Sequence, residues 1–264
     1  MQWENLTAPD FARAVRETGV CVLAMGVLER HSEHLPLGTD FLNGHRLAVD
    51  AAECEPAVVF PPFYFGQINE ARAFPGAFTL KPGLLLELLQ AVLDEIGRNG
   101  FKKIVIVNAH GGNGHLIPFL AQCQLWEQKP YSLYWFTGDL GEERSKIWAK
   151  TVETKLHGHA CECETSVTLA NFPELVRMDA VPEAAGTPLG RMQQLPGGYA
   201  GIWWYADYPE HYAGDARSAT AEKGRILRQL EVDALAEFLA AVKADEMVPA
   251  LEKEFFQRAG AQRG

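Results

Sequence analysis

Apolar and polar positions alternate along this chain in blocks that predict regular elements. Thr7 to Thr18 has helical spacing, with Asp10 in its first turn and Gly19 at its end. Val20 to Met25 is a continuous apolar run closed by Gly26, the signature of a strand covered on both faces. Asn43 to Ala52 predicts a second helix, and Ala57 to Phe60, before Pro61-Pro62, a second strand. Pro82 to Arg98 carries Leu84, Leu85, Leu88, Leu89, Val92 and Ile96 along one helical face, with Pro at its start and Gly100 just past its end. Lys103 to Val107 then predicts a buried strand, His115 to Trp126 a helix and Leu133 to Phe136 a strand. Ser218 to Ala244 predicts a long helix near the C-terminus, after an aromatic and Gly/Pro-rich loop from Leu195 to Asp215.

Strand and helix therefore alternate over the first half. That pattern predicts an α/β fold with a mostly parallel central sheet and helices on both faces. Neither an internal repeat nor a linker composition interrupts it, so residues 1–264 read as one domain.

Composition narrows the function classes. With 34 acidic against 24 basic residues the formal charge is −10, which lacks the basic footprint of a nucleic-acid partner. No apolar tract reaches the roughly 18 residues of a membrane span. The first residues do not read as a signal peptide, and a cytoplasmic location is the expectation. The five cysteines have irregular spacings and no CxxC pair, and Cys161 and Cys163, one residue apart, lack a usual zinc-site spacing, so they read as reduced thiols.

The candidate chemistry lies in the histidines. Seven of the eight fall in or beside three polar segments: 29–40, 108–115 and 157–166. The first two begin where a predicted strand ends, where ligand sites of open α/β sheets lie. Imidazoles mixed with carboxylates suit Zn, Mn or Fe. Five such donors suit two divalent cations bridged by one carboxylate, between which a water is readily deprotonated. The loop Gly111-Gly112-Asn113-Gly114 lacks the order of a nucleotide-binding motif. Ser166 lacks a nucleophile elbow and reads as part of a helix running to Asn171. His45, His115 and His157 read as structural. The loop aromatics, including Tyr199, Trp203 and Trp204, read first as packing and second as a pocket wall.

These segments resemble the creatininase (creatinine amidohydrolase) family. The resemblance rests on Gly26-x-x-Glu29-x-His31-x-x-His34-Leu35-Pro36-Leu37-Gly38-Thr39-Asp40, on Asn108-x-His110-Gly111-Gly112-Asn113, on His159-Ala160-x-x-x-Glu164-Thr165-Ser166, and on Gly214-Asp215-x-Arg217-x-Ala219-Thr220-x-x-Lys223-Gly224. It implies a three-layer α/β/α sandwich, two divalent metals per chain, cleavage of amide-like C–N bonds in a small molecule, and a homo-oligomer, often a hexamer. Carried onto this sequence, it makes Glu29 and His110 ligands of one metal, His31 a ligand of the other, and Asp40 the bridge.

The fifth ligand implied is Glu162, because Gly112 stands where creatininase proper has a glutamate. Glu164 is the competing candidate, otherwise an orienting partner in catalysis. His159 becomes the acid or base that protonates the departing nitrogen. His34, Trp203 and Trp204 are the expected substrate contacts. Lys155 and Arg30, facing the pocket, would favour an anionic or carbonyl-rich ligand. The alternatives are a metal-binding scaffold without catalysis and a nucleotide-binding α/β protein.

Overall fold

The computed structural model describes residues 1–261. Four strands, β1 (Val20–Met25), β2 (Val58–Val59), β3 (Lys103–Asn108) and β4 (Ser132–Phe136), form one parallel sheet in the order β2-β1-β3-β4. Alternate residues of each strand feed two separate cores. Cys21, Leu23, Met25, Ile104 and Ile106 pack with α1 (Ala8–Thr18), α3 (Pro82–Arg98) and α4 (Leu116–Cys123). Val20, Val22, Ala24, Val105 and Val107 pack with α2 (Thr39–Cys54) and α8 (Ala221–Ala244) on the other face. The result is the α/β/α sandwich, and it explains why the strands read as unbroken apolar runs.

Helix ends follow the expected chemistry. Thr7 caps α1 through a bond from Asp10 N, and Gly19 closes it in the left-handed region at φ 63°. Lys103 is buried at the start of β3, where its ammonium donates to the carbonyls of Val242, Lys243 and Asp245 at the end of α8.

Topology places the site. From β1 the chain crosses through α2 to β2. It then returns through α3 on the opposite face to β3, on the other side of β1. Right-handed crossovers in opposite directions leave a crevice beyond the C-terminal ends of β1 and β3. The segments after those two strands meet there. So does a small antiparallel ribbon of β5 (His157–His159) and β6 (Ala213–Gly214), which lies outside the main sheet.

Several elements differ from the sequence reading. Helix α2 begins at Thr39 rather than Asn43, which puts Asp40 in its first turn. Helices α5 (Gly141–Thr151) and α9 (Met247–Ala261) were not expected, and α7 (Trp203–Asp207) is one short helix inside the aromatic loop. Helix α6 (Glu162–Asn171) leads out of β5 and packs on α8. No helix among the described residues is long and apolar enough to cross a membrane.

Candidate metal centre

Each ligand candidate reaches the crevice for a local reason. After β1 the chain passes Gly26 closely beneath α2: a Cβ there would stand 2.4 Å from Phe41 N. The following loop is tied by Glu29 N donating to Leu37 O, 3.0 Å, which sets Glu29 and His31 beside the first turn of α2. His110 leaves the end of β3, and β5 delivers His159.

These side chains converge in the interior. Glu29 is 1%, His31 0% and Asp40 5% exposed. His110 Nδ1 lies 2.7 Å from Glu29 Oε1 and 3.0 Å from Asp40 Oδ2. Neither carboxylate oxygen has an aligned hydrogen-bond partner. His31 Nε2 lies 2.9 Å from the other Asp40 oxygen, Oδ1. Ligand atoms of Glu29, Asp40 and His110 thus form one compact group, and those of His31, Asp40 and Glu164 another. Asp40 belongs to both.

Backbone partners decide which imidazole nitrogen is free. A carbonyl oxygen only accepts. His110 Nε2–H donates to Gln67 O at 2.9 Å, so its Nδ1 keeps the lone pair that faces the two carboxylates. His31 Nδ1–H donates to Glu29 O at 3.2 Å, so its Nε2 lone pair faces Asp40. Electron-pair donors that face one another in a buried site require a cation between them. Neighbouring charge shows the same demand. Burial would lower the His31 imidazole, but Asp40, with Glu29 and Glu164, holds it up to about 10. His110 is likewise held well above its ordinary value, against burial, by Glu29 and Asp40. The donor set therefore fits two cations, whether protons or divalent metals.

Glu162 is not part of this cluster. Its carboxylate accepts from Glu153 N at 3.0 Å and Thr154 N at 2.8 Å, and it pairs with Lys223 Nζ at 2.5 Å. Burial pushes Glu162 up, but Lys223 and those backbone donors hold it down at about 2. Glu164 is the residue that the structure brings to His31 and Asp40. Its Oε2 accepts from Ala160 N at 2.5 Å, and burial, with the charge of Cys161 next, pushes its carboxyl up to about 8. Gly112 has a steric role as well: a Cβ there would come 2.5 Å from His110 Nε2 and 2.8 Å from Gln67 O, across the bond that fixes His110.

His159 stands beside Glu29, with Nε2–H donating to Arg30 O at 2.7 Å. Burial drives its imidazole down to about 3, with Glu29 opposing and His31 and His211 adding to the fall, so it is neutral. His34 does not line the centre. It is buried, bonded to Thr165 Oγ1 at 2.9 Å, and ties the first loop to α6. Arg30 pairs with Glu33 at 2.5 Å and Glu210 at 3.3 Å, Lys155 is exposed, and neither residue lines the two cavities beside the centre.

One residue escaped the sequence reading. His211 Nε2 lies 2.7 Å from Glu29 Oε2, and the Trp204 indole Nε1–H donates to His211 Nδ1 at 3.2 Å. An indole only donates, so His211 must donate to Glu29 through Nε2. His211 is 1% exposed and holds φ at 53°, rare for a residue with a side chain. It was the one histidine neither in nor beside the three polar segments, and its place in an aromatic loop was the only signal.

Two cavities flank the centre. One of about 300 Å³ is lined by Asp40, Asn43, His110, Trp148, Glu164 and Glu231. The other, about 230 Å³, is lined by Glu29, His110, His159, Trp203, Trp204 and His211. His115, read as structural, also reaches the second cavity.

Fold and site define an α/β/α protein with the donor set of a dinuclear metal centre at its topological switch point. The chain belongs to the creatininase family, whose creatinine amidohydrolase model matches residues 4–239. It is similar to the 3-dehydro-scyllo-inosose hydrolase of Thermotoga maritima, 24% identical over 268 residues that cover 93% of this chain and 83% of that protein. The mycofactocin precursor peptide peptidase of Mycobacterium ulcerans is 28% identical over 220 residues, covering 77% and 78%. The creatinine amidohydrolase of Pseudomonas putida is 26% identical over 247 residues, covering 86% and 90%. A solved mutant creatininase of the Zn–Zn type has the same fold, with a TM-score of 0.80 at 22% identity over 92% of this chain and 98% of that one. A manganese creatininase superposes with a TM-score of 0.76 at 20% identity, covering 92% and 99%.

Proposed function

We propose that this protein is a two-metal hydrolase that cleaves a C–N bond of a small cyclic amide, formamide or related molecule. The observation that carries this reading is Asp40, whose two oxygens face two different ligand groups: Oδ2 toward His110 and Oδ1 toward His31. In this reading Glu29, Asp40 and His110 hold one divalent cation, and His31, Asp40 and Glu164 hold the other. Such a pair would supply Lewis acidity toward water and toward negative charge developing on the substrate.

The chain's own groups do the rest. His211 holds Glu29 Oε2 and so leaves Oε1 as the binding atom. Gln67 O and Glu29 O keep His110 and His31 turned with their lone pairs inward. His159 is neutral, with Nε2–H committed to Arg30 O. Its Nδ1 is then the atom that takes a proton from the attacking water and hands it to the departing nitrogen. Trp203 and Trp204 wall the cavity on the His159 side and keep bulk water from the reacting carbon. A space of about 230 Å³ fits a small molecule or one residue of a chain end rather than a folded protein. The relatives' names, which cover an inosose, a precursor peptide and creatinine, fit one hydrolytic centre behind different walls.

Metal analysis of wild type beside His110→Ala tests this reading. About two divalent ions per chain are expected in the first and a clear loss in the second. A wild type that is folded and hydrolytically active without metal overturns it. A screen of cyclic ureas, formamides and lactams then finds the scissile bond.

A further inference from the structure

Four groups of three metal-binding side chains stand close together among the described residues. Three of them share Glu29, His31 or Asp40 and merge into the centre above. The fourth, His157 with Cys161 and Cys163, shares no member with them, and its three ligand atoms all lie within 4.8 Å of one another. From this juxtaposition we infer a separate thiolate–imidazole site for one zinc ion, held by His157, Cys161 and Cys163.

The geometry fits zinc. With Zn–S near 2.3 Å and Zn–N near 2.0–2.1 Å, a tetrahedral ion separates a sulfur from a nitrogen by about 3.5 Å. Cys163 Sγ and His157 Nδ1 stand 3.4 Å apart. The sequence is arranged to bring them there. Ala160 turns the chain in the left-handed region at φ 51°, between the end of β5 and the start of α6. That turn sets Cys161 at the N-terminal cap of α6 and Cys163 in its first turn, where the helix dipole favours the thiolates that zinc needs. The Trp148 ring meets His157 edge-on at 4.8 Å, which limits rotation of the imidazole. Both cysteines are free thiols.

The donor set also discriminates. Two sulfurs and one imidazole suit zinc and disfavour magnesium or manganese, whereas the carboxylate-rich centre accepts harder ions. Three protein donors leave a fourth position for water or for a small exogenous ligand. The site is coupled to the hydrolytic centre through the backbone. His157 and His159 are two residues apart on β5, and Cys163 and Glu164 are adjacent on α6. An ion bound by the first of each pair ties β5 to α6 and fixes the second of each pair where the proposed reaction needs it.

Cobalt titration of the full, reduced protein after chelator treatment tests it, with Co²⁺ as the probe for zinc. The expected wild-type result is one equivalent with an intense near-ultraviolet sulfur-to-cobalt band that Zn²⁺ abolishes and Mn²⁺ does not. Further cobalt binds the carboxylate centre without that band. C161S/C163S should lose the band and one equivalent. His157→Asn keeps both thiols, so it should retain the band and bind at least tenfold more weakly. Absence of the band in wild type overturns the inference whatever the variants do, and so does a band that persists in C161S/C163S. Failure of the dinuclear reading looks different: the band forms, but no further equivalents bind.

Discussion

Replacement of His211 by Asn isolates the device that aims Glu29. Among residues with a side chain, Asn tolerates the left-handed backbone at 211 best, so the loop is retained. Its amide is too short to stand where His211 Nε2 stands, 2.7 Å from Glu29 Oε2. The lost bond involves a carboxylate that is 1% exposed. Such a charge-assisted bond contributes about 1.5–3 kcal/mol, and the buried oxygen left behind has no replacement donor. Because Glu29 is a proposed ligand, that energy should appear as metal affinity, about 10- to 100-fold weaker for the site that Glu29 serves.

Chelator competition with Zn²⁺ reads the affinity, and urea unfolding in EDTA separates it from stability. Trp204→Phe keeps an aromatic wall but frees His211 to adopt the other tautomer. The loss of one neutral bond should weaken affinity by only about three- to tenfold. Affinity within threefold of wild type in folded His211→Asn refutes the positioning role. A larger effect from Trp204→Phe than from His211→Asn refutes the order of the chain.

Three further outcomes follow from the same geometry. Glu162→Gln should leave metal content unchanged and lower stability on the order of 2 kcal/mol by urea unfolding, through loss of charge opposite Lys223. Since Glu162 is held at about 2, its stabilisation is full above 4.5 and lost as pH falls toward 2, so wild type and variant should converge in acid. The chelator-treated protein should lose stability as pH rises from 6.5 toward 10, because His31 is held up to about 10 and its contribution is complete only below 6.5. Metal-loaded protein should not show that loss, and a flat urea midpoint for the metal-free form across this window contradicts the electrostatic account. His159→Asn should lower kcat by about 10²- to 10⁴-fold with both metals retained. Loss of metal together with activity would make His159 a ligand rather than a proton carrier.

Much of the sandwich was legible because its signals are local. Val20–Met25 and Lys103–Val107 are buried on both faces and so read as solid apolar runs, and α1 carries its own cap and stop. Helix α5 has no buried residue and therefore no apolar stripe to find. The start of α2 was hidden because Gly38 caps it without a side-chain bond. Glu162 and Glu164 show the harder limit. Two residues apart on a helix lie about 200° apart around its axis, so one must face Lys223 and the other His31. Sequence supplies both carboxylates but not the rotation of α6, which is set by its packing on α8. His211 was missed for a related reason: no spacing rule connects it to Glu29, which lies 182 residues away.

Three imidazoles at the crevice, His31, His110 and His159, are each restrained by a peptide oxygen, those of Glu29, Gln67 and Arg30. A peptide oxygen is supplied by whichever amino acid occupies the position. Mutational drift at positions 67 and 30 can therefore reshape the wall and its charge while the imidazoles keep their aim. A scaffold built in this way lets descendants exchange one substrate for another without rebuilding the reactive machinery.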